Sequence, residues 1–157
     1  MNISVHLATS LILSALFYPL IGLYSLWIIV GGYLIDFDHL LWTAYKMKSF
    51  SVKKSYHYHF NRHKNERYER DLLHVFHTIE FWIFIVLSAL ISYKMDWTFL
   101  YYMFLVTFIG MILHLSLDFI LLIKDKHLDA RAISWIMWSR RNKNQTKATL
   151  GSGSSLP

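Results

Sequence analysis

Histidines and carboxylates set inside apolar sequence are the residues of this chain that could do chemistry. Ile112-Leu113-His114-Leu115-Ser116-Leu117-Asp118-Phe119-Ile120 places an imidazole and a carboxylate four residues apart, which on a helix puts both on one face. Asp36 and His39 are three apart and share a face in the same way. Asp38 turns elsewhere if its segment is helical, or toward the others if the chain unwinds at Gly31-Gly32. His74, His77 and Glu80 step by three, so on a helix the trio covers roughly 120° of arc. His6 stands alone near the N-terminus. Mixed His and carboxylate ligands suit zinc, manganese or iron, and a divalent ion in a dry site brings water toward hydroxide near neutral pH. That chemistry expects Asp36, Asp38, His77, His114 and Asp118 to hold one or two divalent ions, with His6, His39 and His74 as further candidate ligands. Glu80 is a candidate general base or further ligand, and Asp38 and His74 join it as candidate catalytic groups. Taken singly, each also has a bland role: His6 facing headgroups, Asp36 or Asp38 capping a helix or pairing with a Lys, His74 in a loop. A structural role is hardest to find for His114 with Asp118.

The surroundings of these residues fix the elements that must position them. Leu7 to Ile35 is a stretch of 29 residues without a charged side chain. Roughly 20 helical residues span the hydrocarbon core of a bilayer, so the stretch is too long for one ordinary span and short for two. Tyr18-Pro19-Leu20-Ile21-Gly22 supplies the residues for a tight reversal. The reading is a first helix at about 2–18 and a second at about 23–45. Apolar runs at 81–93 and 97–123, separated by Lys94-Met95-Asp96, make a third and a fourth. The expected fold class is all-α: a polytopic membrane bundle of about four transmembrane helices over residues 1–127, with a basic loop at about 46–73. Residues 128–147 form a basic tail. Within it, 128–141 carries Ile133, Trp135, Ile136 and Trp138 among arginines, as a short amphipathic helix lying in the interface would. Residues 148–157 are expected to be flexible, and the Gly-Ser-rich end from Gly151 reads as an appended linker. The N-terminal stretch has neither a basic n-region nor a small-residue cleavage site, so it reads as a span rather than a cleaved signal peptide.

Composition agrees. The chain is 55% hydrophobic and 17% charged, with no Cys, against roughly 25% charged in an average soluble domain. A disordered chain, a collagen-like chain and a disulfide scaffold are excluded. The net charge of +6 is placed by position: of 16 Lys and Arg, eight lie in 46–70 and seven follow Ile123, which leaves Lys94. With four spans the loop and both termini share a side, and the bias of Lys and Arg assigns that side to the cytoplasm and the protein to the cell (inner) membrane. Basic residues flanking spans suit anionic headgroups. The expected partners are therefore membrane lipids and not nucleic acid, and four short helices around a polar site also suit a homo-oligomer. Under this topology each of the candidate His and carboxylate sets falls toward the cytoplasmic end of its helix, so four helices present them at one level. Ionisable groups at membrane depth are costly and kept for function.

This set of residues resembles the family of membrane-bound, metal-dependent hydrolases that includes the bacterial LexA-regulated inner-membrane hydrolases. That family shows an N-terminal His, a Gly-rich helix ending in Pro-Asp-x-Asp-His, a central His motif often ending Thr-His-Ser, and a later His-x-x-x-Asp. The matches here are His6, then Gly31-Gly32-Tyr33-Leu34-Ile35-Asp36-Phe37-Asp38-His39, then His77-Thr78, then His114-Leu115-Ser116-Leu117-Asp118, over about residues 6–118. Ile35 stands where the family has Pro. The central segment reads His74-Val75-Phe76-His77-Thr78-Ile79-Glu80, which keeps both histidines as candidates for the central ligand. The His-x-x-x-Asp pair is also distantly similar to zinc-dependent phospholipase C. The resemblance implies a hydrolase of a phosphoester or lipid-like substrate at the cytoplasmic face, working through metal-activated water, with zinc expected first and manganese or iron as alternatives.

Other classes compete. His59-Phe60-Asn61-Arg62-His63 and His74-x-x-His77 have spacings used by membrane di-iron oxygenases and desaturases, although those enzymes look longer and richer in His. Otherwise His57, His59 and His63 belong to a solvated loop. A non-enzymatic haem-binding bundle would use histidines on facing helices without adjacent carboxylates. A transporter would need polar groups through the full thickness, and here they are one-sided.

Overall fold

The computed structural model describes residues 3–55, 57, 73–124 and 134–140, and every regular element among them is helical. Helix α1 (Ile3–Ile21) leads through a 3-10 turn (Gly22–Leu26) into α2 (Trp27–Gly32). Gly22 holds φ +58, a left-handed conformation that costs an L side chain about 1–2 kcal/mol. The first helix was expected to end at Tyr18. It runs three residues further with Pro19 inside its last turn, because the chain turns back only where a glycine permits that φ. Across the hairpin the Ser14 hydroxyl donates to the Ser25 carbonyl at 2.9 Å.

The second helix is broken where a continuous one was expected. After α2 ends at Gly32, Tyr33 takes φ −129, ψ −49. Leu34–Asp36 winds as a 3-10 turn, and α3 (Phe37–Met47) follows. The third and fourth long elements are α4 (Ile79–Lys94) and α5 (Thr98–Lys124), joined by a tight turn in which Asp96 holds φ 57. Helix α2 is wedged between α1 and α5 at backbone distance. A Cβ on Gly31 would strike the Thr107 carbonyl, one on Gly32 the Ser10 hydroxyl, and one on Gly110 the Ile28 carbonyl.

Burial is inverted relative to a water-soluble bundle. His6, Ser10, Ser14, Ser25, Thr43, His114 and Asp118 are buried, whereas Ile12, Leu16, Leu20, Leu87, Leu90 and Ile120 are more than half exposed. A small apolar core of Ile35, Ile85 and Met111, backed by Trp82 and Phe108, packs α4 on α5. Two stretches, Ile3–Tyr45 and Thr98–Ile120, are long and apolar enough to cross a membrane, and the first of them contains the α1–α2 reversal. Of the expected amphipathic tail helix, 135–140 is helical. Residues 128–133, the tail from 141 onward with its linker, and the basic loop from 58 to 72 with His59 and His63 lie outside the described residues.

Candidate metal centre

Helix lengths bring the polar groups to one level. His6 lies 16 residues before Gly22, His114 lies 16 after Thr98, and Thr78 lies 16 before Lys94. At about 1.5 Å per residue, each is about 24 Å from the turn end of its hairpin. Asp36 follows Gly22 by 14 residues, partly through 3-10 turns that rise about 2.0 Å per residue, so it reaches the same level.

His114 is fully buried, and its Nδ1 lies 3.0 Å from the Gly32 carbonyl oxygen. A carbonyl only accepts, so in the neutral ring Nδ1 carries the hydrogen and Nε2 keeps its lone pair. That Nε2 faces Asp36 Oδ1 at 3.3 Å and Asp118 Oδ2 at 3.5 Å. His77 is held in the same way: its Nδ1 is 2.8 Å from Asp38 Oδ2, which also accepts from the Phe76 backbone N–H at 3.2 Å. Its Nε2 points at His114 Nε2, 3.1 Å away. Two imidazole lone pairs facing each other beside carboxylates have no proton between them in this tautomer, and a shared cation is their natural complement. A histidine whose second nitrogen donates to a carboxylate or carbonyl is the usual metal-ligand arrangement. His6 stacks on His114 with centroids 4.2 Å apart and sets Nε2 3.3 Å from Asp118 Oδ1.

A second set lies beside the first. Asp38 Oδ1 is 3.0 Å from His39 Nδ1 and 3.5 Å from His74 Nδ1, and the two imidazoles stack at 3.9 Å. Asp36 closes the 3-10 turn and Asp38 lies in the first turn of α3, and both carboxylates reach the cluster. Asp36 occupies the N-cap position of α3, yet its side chain makes no capping bond and is turned into the cluster instead. Both nitrogens of His6, both oxygens of Asp36 and Asp38 Oδ1 are buried without a well-formed hydrogen bond, which native structures rarely tolerate without water or an ion. The groups His6–His114–Asp118, Asp36–His77–His114 and Asp38–His39–His74 each offer ligand atoms within 4.8 Å of one another and could hold a metal ion.

Eight of the nine expected site residues are thus together: His6, Asp36, Asp38, His39, His74, His77, His114 and Asp118. Glu80 stands apart. Val75–His77 is a 3-10 turn, and Thr78 is extended (φ −83, ψ 151) and caps α4 by accepting from the Phe81 N–H. The common helical face expected for His74, His77 and Glu80 therefore does not form. The Glu80 carboxylate instead accepts from the Ser134 hydroxyl at 2.5 Å and from the Trp135 and Ile136 N–H groups at 3.1 and 3.3 Å, tying the 135–140 helix to α4. His57 is exposed. The spacing of ionisable residues gave no hint of the supporting groups: the Gly32 carbonyl, the Phe76 N–H, and Ser10, whose hydroxyl donates to the His6 carbonyl at 2.6 Å. One signal for them existed in Gly110, which sits one turn before His114 in an otherwise bulky apolar helix and marks a close backbone approach.

No family model, curated protein or solved structure matches the chain.

Proposed function

We propose that the chain is an integral membrane metal-dependent hydrolase with the buried His and Asp cluster as its active site. The observation that carries this reading is the pair of Nε2 lone pairs on His77 and His114, each fixed by a committed Nδ1–H and ringed by Asp36, Asp118 and His6. These residues hold the ion. A divalent ion there supplies Lewis acidity to a phosphoryl or acyl oxygen and a nucleophile from water. A donor set of nitrogen and oxygen without thiolate suits zinc first, then manganese or iron. Asp38 orients His77 and faces His74 with its other oxygen.

The chain makes four passes in this reading, with the basic loop and both termini in the cytoplasm of a bacterial-type inner membrane. Against a hydrocarbon core of about 30 Å, a cluster about 24 Å from the far turns lies a few ångströms below the cytoplasmic boundary. The irregular backbone between α2 and α3 is admissible at that depth because it borders the polar cluster, with Ile35 buried in the core. The substrate is a phosphoester or lipid-like molecule whose anionic headgroup is met by the basic loop and tail. The test is metal content by mass spectrometry on detergent-purified protein, together with hydrolysis of a chromogenic phosphoester. His114→Ala and Asp118→Ala should each abolish hydrolysis and lower the metal content. Substoichiometric metal in the unsubstituted protein, unchanged by either substitution, would sink the proposal.

A further inference from the structure

We infer that the cluster is a two-cation centre bridged by Asp36. This rests on the metal reading above and extends it to a second ion and to the charge of the substrate. The three ligand groups reduce to two positions. His6–His114–Asp118 and Asp36–His77–His114 share His114. That residue has only Nε2 to give, because Nδ1 is bonded to the Gly32 carbonyl, so those two groups describe one ion. Asp38–His39–His74 has no residue in common with either and defines the other. Asp36 joins them: its Oδ1 lies 3.3 Å from His114 Nε2 on one side and 3.3 Å from His39 Nδ1 on the other. Asp38 separates them, with Oδ2 taken by His77 Nδ1 and the Phe76 N–H, and Oδ1 left facing His39 and His74.

Charge bears on what such a pair of ions would bind. Among the described residues the ion pairs of Asp36 and Asp38 are with histidines alone. Buried carboxylates need compensation. With neutral imidazoles, Asp36 and Asp38 are neutralised by one divalent ion, and the pair of carboxylates becomes positive with two. Only the second state favours an anionic phosphoryl group, whose attacking and leaving oxygens two ions can clamp together. The substrate class that follows is a phosphate ester rather than a neutral ester or amide.

The test uses full-length protein in detergent, stripped by chelator and reloaded with Mn²⁺ alone, with the metal counted by mass spectrometry and its spins read by electron paramagnetic resonance. Two Mn²⁺ per chain and an exchange-coupled pair spectrum are expected. His74→Ala and, independently, His39→Gln should each leave one Mn²⁺ per chain with the six-line spectrum of an isolated ion, and circular dichroism should show unchanged helix content. One Mn²⁺ in the unsubstituted protein, lost in His114→Ala but retained in His74→Ala and His39→Gln, overturns the second ion and leaves the hydrolase proposal standing. No bound Mn²⁺ in the unsubstituted protein, and no Zn²⁺ after a parallel reload with Zn²⁺, overturns both.

Discussion

Asp38 uses its two oxygens differently, and that division governs the site at the residue scale. Oδ2 accepts from His77 Nδ1 at 2.8 Å and from the Phe76 N–H, which fixes the His77 tautomer and the line of its turn. Oδ1 faces His39 and His74. Asp38→Asn keeps the shape and one acceptor oxygen but removes the charge that favours a protonated Nδ1. Supporting carboxylates of this kind are worth roughly 10–100-fold in metal affinity. Chelator competition should therefore show a loss of that size in Asp38→Asn, with helix content unchanged. An affinity equal to that of the unsubstituted protein would mean that His77 is held by the turn alone. The His114–Asp118 pair was readable from spacing because both residues lie within one unbroken helix, where four residues guarantee a shared face. Asp38 was not, because it follows a break in the backbone that no spacing specifies.

At the scale of elements, the site depends on where helices stop. Thr78 explains why Glu80 left the cluster: counting by three assumes one helix, and a capping residue in extended conformation resets the phase. Glu80 instead anchors the 135–140 helix. Glu80→Gln should raise amide hydrogen exchange across 134–140 while leaving metal content as it was, and a loss of metal would return Glu80 to the site. Two glycines separate reversal from close packing. At Gly22 nothing stands within 4 Å of an added Cβ, but φ is +58. Gly22→Ala should thus cost about 1–2 kcal/mol and keep its metal. At Gly31 a Cβ meets the α5 backbone, which cannot give way as a flexible side chain would. Gly31→Ala should cost about 1–3 kcal/mol in overpacking and also lose metal, because α2 carries the Gly32 carbonyl that orients His114. Thermal unfolding with metal analysis of both variants checks the contrast. Equal metal loss in the two would show that the hairpin, not the α2–α5 contact, sets the site. The reversal near Gly22 was legible from Pro and Gly in an apolar run. The wedge at Gly31 and Gly110 was not, because contact between distant backbones leaves no local pattern.

At the scale of the whole molecule, polar side chains point inward and apolar ones outward. Serines and histidines line the contact between α1, α2 and α5, while leucines and isoleucines of α1, α4 and α5 face away. In water, so large an apolar exterior would drive association; against lipid it costs nothing. The two hairpins place Gly22 and the Asp96 turn at one end and the cluster at the other, so four passes require those ends to face opposite sides of the membrane. The absence of Cys allows a direct measurement. Asp96 and Lys53 are both exposed, and each can carry a single engineered cysteine: Asp96→Cys and Lys53→Cys. With Lys and Arg concentrated beside the cluster end, Asp96→Cys should react with a membrane-impermeant maleimide in intact cells. Lys53→Cys should react only after lysis. The opposite pattern would keep four passes and invert the orientation, moving the site to the outer face. Labelling of both in intact cells would mean that the hairpins do not cross, and the proposed access of a cytoplasmic headgroup to His77 and His114 would fail with them.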